Sequence, residues 1–216
     1  MKSSVDKSSL AFEDYWTKAV VDLKQADKIL GKIISLNEKK LPQKQMDAFS
    51  TLARSIVAQQ ISTKTANKIW SNFERELCQR QVEPSVVLKL SEQALKGIGI
   101  GTRKVVYLKD LAIYFQNEWV TPSHWSKMSD DEIVKQLCAI KGIGPWTAQI
   151  FLMMFLQRPN VLPIVDLGLK KAIEKHYFGG ETVTPAVMKN LAQAWQPWCT
   201  VATWYLWKSL ELDQTE

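Results

Sequence analysis

Apolar residues recur at intervals of three and four along nearly the whole chain. Phe12, Tyr15, Trp16, Ala19, Val20 and Leu23 form one such stripe, and Phe49, Leu52, Ala53, Ile56 and Val57 form a second. Ala66, Ile69, Trp70 and Phe73 continue the pattern, and Leu108, Leu111, Ala112 and Phe115 repeat it. That interval puts each set on one face of an α-helix and would scatter it over both faces of a strand. Signals of β-structure are missing: no Asn-Gly or Asp-Gly dipeptide is present to close a tight hairpin. Ser129 followed by Asp130, Asp131 and Glu132 reads as an N-cap with an acidic first turn, ahead of Ile133, Val134 and Leu137. Pro84, Pro122, Pro159, Pro163, Pro185 and Pro197 punctuate the chain. The expected fold is all-α, about ten helices joined by short connections.

Composition narrows the class further. With 46% hydrophobic and 23% charged residues in 216 positions, the chain can bury a substantial core and is not of the disordered type. Its longest apolar run, Ile150 to Leu156, is far shorter than the roughly 20 residues a membrane helix needs. The first residues carry no apolar stretch of the kind a secretory leader uses, so export is not expected, and residues 3–9, rich in Ser and Lys, are expected to fray. Cys78, Cys138 and Cys199 are odd in number and widely spaced, which fits a reducing compartment, bacterial cytoplasm or eukaryotic nucleus, rather than a disulfide framework. His124 and His176 are too few for a histidine-rich metal site. The net charge of +6 favours an anionic partner. Nine tryptophans supply large rings for a core or for stacking on flat ligands.

Residues 137–150 hold the densest information: Leu-Cys-Ala-Ile-Lys-Gly-Ile-Gly-Pro-Trp-Thr-Ala-Gln-Ile. They read as a helix, a glycine-rich turn and a second helix with Pro145 in its first turn, where a missing N–H costs nothing. The N–H groups at the start of that helix suit an anion, and Lys141 adds a nearby charge. The same residues also serve as a plain turn between helices. Lys96-Gly97-Ile98-Gly99 echoes Lys141-Gly142-Ile143-Gly144 at an offset of 45, which predicts two tight turns, each using glycine's positive φ. Asp166 follows Gly144 by 22 residues, after an apolar stretch and at a helix start. Alone, it reads as an N-cap.

Taken together, Lys141-Gly142-Ile143-Gly144-Pro145-Trp146-Thr147-Ala148 and Asp166 resemble the helix-hairpin-helix/Gly-Pro-Asp superfamily of DNA glycosylases, in its alkylpurine (DNA-3-methyladenine glycosylase II) branch. The segment from Leu52 to Ser62, with Gln59-Gln60-Ile61, is similar to the family's Gln-containing segment, and Trp195-Gln196-Pro197-Trp198 with Trp207 is similar to its C-terminal pattern. The likeness spans roughly residues 48–210.

The resemblance implies a two-lobed all-α enzyme with an active-site cleft between the lobes, an internal one (about 50–158) and one built from both ends of the chain (about 10–49 and 159–216). Such an enzyme flips a damaged purine out of duplex DNA and hydrolyses its N-glycosidic bond. Asp166 matches the catalytic carboxylate. Trp146, Trp207 and Phe155 are assigned to the base pocket, and Gln60 with Ile61 to the wedge that fills the vacated stack. Lys141, Gly142, Gly144, Thr147, Lys64 and Arg103 are assigned to the DNA backbone. Carbonyls of Cys138, Ile140 and Ile143 are the expected ligands of a structural Na⁺ or K⁺, and no other cofactor is required. Trp146 stands where strand-cleaving members carry a Schiff-base lysine, so a monofunctional glycosylase without lyase activity is expected. Ile150 and Leu167 replace aromatic residues of some relatives, which leaves the breadth of lesion range open. The expected partner is duplex DNA, with no membrane, and the expected state is a monomer. The competing reading is a non-catalytic helix-hairpin-helix protein that binds damaged DNA.

Overall fold

The computed structural model describes residues 7–37, 47–76, 82–117 and 122–211. Within them lie thirteen α-helices: α1 (Lys7–Ala26), α2 (Lys28–Leu36), α3 (Ala48–Ala58), α4 (Thr63–Glu76), α5 (Pro84–Lys89), α6 (Glu92–Gly97), α7 (Thr102–Asn117), α8 (Pro122–Trp125), α9 (Asp130–Cys138), α10 (Pro145–Met154), α11 (Leu167–Tyr177), α12 (Pro185–Leu191) and α13 (Cys199–Glu211). A 3₁₀ turn, Ala192–Trp195, follows α12. No strand occurs among the described residues. The all-α expectation holds, with more helices than periodicity alone indicated. The extra ones are short: α5 and α6 have six residues each and α8 has four. None is long enough to complete a periodic stripe.

Local chemistry starts these helices as the sequence anticipates. Ser129 Oγ accepts the Glu132 amide, and the Glu132 carboxylate accepts the Ser129 amide at 2.8 Å, completing a capping box for α9. These bonds hold the Glu132 carboxyl below the usual carboxylate range. Pro84, Pro145 and Pro185 open α5, α10 and α12. Residues 3–6 of the segment expected to fray, and Cys78, lie outside the described residues; Lys7–Ser9 belong to α1. Cys138 and Cys199 are free thiols, and burial pushes Cys199 up to about 11.

The chain divides into two compact units, Lys44–Leu156 and the combined segments Met1–Gln43 and Gln157–Glu216. In the first, α7 packs on α3, α5 and α6, while α10 packs on α3 and α9. Leu52, Ala53, Ile56, Leu108, Leu111 and Ala112 are fully enclosed there. Trp125 meets Phe151 edge-on at 5.0 Å, and Phe155 stacks on Phe151 at 4.9 Å. In the second unit, α13 packs on α1, α2 and α11. Trp16, Leu23, Leu30, Ile34, Trp195, Tyr205 and Leu206 form its core. Among the described residues no helix is long and apolar enough to cross a membrane.

Candidate active site and nucleic-acid interface

Asp166 is the N-cap of α11. Its backbone is extended (φ −74°, ψ 121°), and its Oδ1 accepts the Leu169 amide at 2.6 Å. The same oxygen accepts the Trp207 indole Nε1–H at 2.8 Å. The side chain is buried, with 8% of the residue exposed. The N-cap reading of this aspartate holds, and the carboxylate that caps the helix is also largely buried. Desolvation makes such a charge costly unless it is hydrogen-bonded, and here two donors meet one oxygen. Gly168 lies beneath the pair. A Cβ added there would fall 3.1 Å from Oδ1 and 3.2 Å from the Trp207 Cδ1 and Nε1 atoms. Gly168 has no positive φ, so it is space, not backbone freedom, that the position demands.

The glycine-rich turn between α9 and α10 lies in the other unit. Gly142 takes φ +84°, and a Cβ there would come 2.2 Å from the Tyr107 ring, so both conformation and packing require glycine. Gly144 has φ −100° and open space around it. Each of the two turns uses one glycine at positive φ, as expected: Gly99 in the first and Gly142 in the second, while Gly97 and Gly144 do not adopt it. The echo also shifts. Gly97 ends α6, and the conformation of Gly142-Ile143-Gly144 is matched by Gly99-Ile100-Gly101, at an offset of 43 rather than 45. Both copies bury the central isoleucine, Ile100 at 1% and Ile143 at 4%, and a helix begins directly after each.

At the start of α10, Gly144 provides no side-chain cap. The first-turn amides of Trp146 and Thr147 are therefore oriented as an anion site. Trp146 is 40% exposed. It borders a cavity of about 520 Å³ lined by Thr51, Arg54, Ser55, Ala58, Gln59 and Gln60. That volume lies in the range of small-ligand sites. Gln60 and Ile61, read as the wedge, follow α3. Gln60 is exposed and held at φ +56°, a strained conformation for a residue with a Cβ.

Three residues that hold this surface together were missed at the level of sequence. Gln59 Nε2 donates to the Gly142 carbonyl at 2.8 Å, tying the end of α3 to the hairpin. Lys104 Nζ donates to the Val57 and Gln59 carbonyls at 2.7 and 2.8 Å, closing the C-terminus of α3. Partial burial lowers its pKa. Tyr107 packs under Gly142. The glutamine pair and the basic residue were visible in sequence, but nothing there gave their long-range partners.

Other assigned residues are placed differently from one another. Lys64 and Arg103 are exposed in the first turns of α4 and α7. Lys141 is exposed, but its amide donates to Asp110 Oδ2 at 2.9 Å and its Nζ lies 3.5 Å from Oδ1. Thr147, assigned to the DNA backbone, is only 3% exposed; its side chain faces the interior, because one helical step separates it from exposed Trp146. Phe155, assigned to the base pocket, is 5% exposed and spends its ring on Phe151 and Trp125. The structure does not bring it to the cavity beside Trp146. The side chains of Ile140 and Ile143 are buried, and the Ile140 carbonyl accepts the Ile143 amide at 3.1 Å. No group of three or more His, Cys, Asp or Glu suited to a metal occurs among the described residues.

The putative DNA-3-methyladenine glycosylase YfjP of Bacillus subtilis is 30% identical over 76% of this chain, which spans 59% of that relative's length. A DNA-3-methyladenine glycosidase structure from Bacillus halodurans superposes with a TM-score of 0.79 at 30% identity, over 92% of this chain and 91% of that one. Schizosaccharomyces pombe 3-methyladenine DNA glycosylase in complex with abasic DNA superposes with a TM-score of 0.81 at 25% identity, covering 90% and 97%. The HhH-GPD family model matches residues 53–197, from the buried face of α3 to the turn before α13. That match takes in the hairpin and the aspartate that follows it, and places the chain in the HhH-GPD superfamily of base excision DNA repair proteins.

Proposed function

We propose that this protein is a monofunctional DNA glycosylase that removes alkylated purines from duplex DNA by hydrolysis. The observation that carries the reading is the buried, doubly hydrogen-bonded Asp166 carboxylate at the start of the helix after the hairpin. Breaking an N-glycosidic bond builds positive charge on the sugar, as in an oxocarbenium ion. A desolvated carboxylate stabilises that charge or activates the attacking water. A purine alkylated at N3 or N7 already carries positive charge and departs neutral, so its departure needs no general acid. The names of the relatives, 3-methyladenine glycosylases, agree with this chemistry. 7-Methylguanine, also cationic, extends the proposed range, as does ethenoadenine, which is uncharged in DNA and so takes up a proton as it leaves.

The remaining roles follow from placement. Trp146, with an exposed ring beside the cavity, offers a face on which a cationic base stacks. Gln60, exposed in a strained turn, is the wedge, with Ile61 beside it. The α10 amides after Gly144 hold a phosphate, and Lys64 and Arg103 add positive charge on the same unit. A monovalent ion would take the Cys138, Ile140 and Ile143 carbonyls and would be structural only. Trp146 lacks the amine that strand cleavage through a Schiff base needs, so the product is an intact abasic strand. The protein acts as a monomer where the DNA is, in cytoplasm or nucleus.

The test is base release from methylated duplex DNA, with the released bases separated by chromatography. Wild type releases 3-methyladenine and leaves the strand uncut until alkali is added. Asp166→Asn lowers release at least about 100-fold while binding abasic DNA as well as wild type. Undiminished release by Asp166→Asn removes the catalytic assignment. Lesion-dependent binding without release by wild type leaves a non-catalytic damage binder.

A further inference from the structure

We infer that Trp207 is a positioning residue for Asp166, acting through its indole N–H, and that Gly168 keeps open the space through which it reaches. This rests on the catalytic reading of Asp166. The sequence resemblance assigned Trp207 to the base pocket, a role that would use the face of the ring. The structure uses the edge: Nε1–H points at Asp166 Oδ1, 2.8 Å away. The Leu169 amide reaches that oxygen from α11 itself at 2.6 Å. A carboxylate held by its own helix alone can still rotate about its side-chain torsions. The indole, a donor from α13 and 41 residues distant in sequence, restricts that rotation. An indole only donates, so it orients the carboxylate without ever competing for a proton.

Gly168 makes the arrangement specific. It sits between the two partners, and even a methyl group there would press on both, at 3.1 Å from Oδ1 and 3.2 Å from the indole. Its backbone does not require glycine, so the missing side chain serves the approach of Trp207 to Asp166.

The experiment is single-turnover release of 3-methyladenine from methylated duplex DNA at saturating protein. Wild type, Trp207→Phe, Gly168→Ala, the double variant and Asp166→Asn are compared, with melting curves to establish folding and binding of abasic duplex measured in parallel. Phenylalanine keeps an aromatic face and loses the donor. Trp207→Phe is expected to slow release roughly 10- to 100-fold and to leave abasic-DNA affinity within about twofold of wild type. Gly168→Ala slows release to a similar degree, and the double variant is no slower than the worse single one, because both act through one carboxylate. A wild-type rate for Trp207→Phe, or a loss that disappears at saturating protein, overturns the inference. If Trp207→Phe does not fold, Gly168→Ala decides alone: slow release at unchanged affinity supports the inference, and a wild-type rate overturns it. Asp166→Asn separates the two levels. Full activity in that variant removes the catalytic reading itself, whereas inactive Asp166→Asn beside fully active Trp207→Phe removes only the positioning role.

Discussion

Asp27 and Asp166 have much in common. Each is an aspartate N-cap, of α2 and α11 respectively, and each accepts an indole N–H at 2.8 Å, from Trp195 and Trp207. They differ in how their donors are shared out. At Asp27, Oδ1 takes the Ile29 and Leu30 amides, while Oδ2 takes the Tyr177 hydroxyl at 2.6 Å and the Trp195 indole. That carboxylate knits the start of α2 to the end of α11 and to the turn before α13. At Asp166 the Leu169 and Trp207 donors converge on Oδ1. One helix links the two sites, since α11 begins at the Asp166 cap and ends at Tyr177. The pairing of aspartate with tryptophan is thus not in itself a sign of chemistry. At Asp27 four donors spread over both oxygens make a clamp; at Asp166 an amide of its own helix and an indole from α13 converge on Oδ1 and fix how that oxygen points.

The contrast predicts opposite consequences for the same substitution. Asp166→Asn loses at least about 100-fold in base release with little change in melting temperature, because asparagine caps a helix as well as aspartate. Asp27→Asn keeps a wild-type single-turnover rate; a loss there comparable to that at Asp166 breaks the comparison. In stability the order reverses. Asp27→Ala removes a cap and strands the buried Trp195 indole and the half-buried Tyr177 hydroxyl, a cost of about 3 kcal/mol, seen as a fall of roughly 6–12 °C in thermal unfolding. Trp195→Phe sharpens the point at one donor: it costs about 1–2 kcal/mol and leaves base release unchanged, whereas Trp207→Phe does the reverse. The smallest effect concerns pH. Burial, and the Asp27 carboxylate beside it, push the Tyr177 hydroxyl above its ordinary value. The unfolded chain then ionises first, so this contribution to stability is intact below about pH 10 and declines as pH rises further. Denaturant unfolding at pH 8 and above 10 should show a shallower alkaline decline for Tyr177→Phe than for wild type.

Sequence patterning reached the long helices because burial imposes a period. The stripe at Leu52, Ala53, Ile56 and Val57 is enclosed throughout, and the Ser129 capping box forms as written. It also reached the hairpin and Asp166, whose residue types are dictated by local geometry. It failed where a role depends on what a side chain meets across the fold. Phe155 and Trp146 are both aromatic residues near one hairpin, yet the first stacks in the core and the second borders a cavity. Lys104 appeared as one more basic residue and proves to close α3, and Gln59 proves to hold the Gly142 carbonyl. The glycine echo was real but displaced by two residues, because letters alone do not say which glycine carries positive φ.

The order of the units along the chain has a consequence during synthesis. Helices α1 and α2 are made before α13, which packs on both and whose Trp204 and Tyr205 meet Trp16 in the finished protein. The whole of Lys44–Leu156 must be made before α13 exists. At 5–20 residues per second, that leaves the apolar faces of α1 and α2 without α13 for roughly 8–30 s. The continuous unit that carries the hairpin can assemble within that interval. The unit that carries Asp166 is completed only after translation reaches the end of α13, so in a nascent chain the hairpin's unit is assembled before the unit that carries the aspartate.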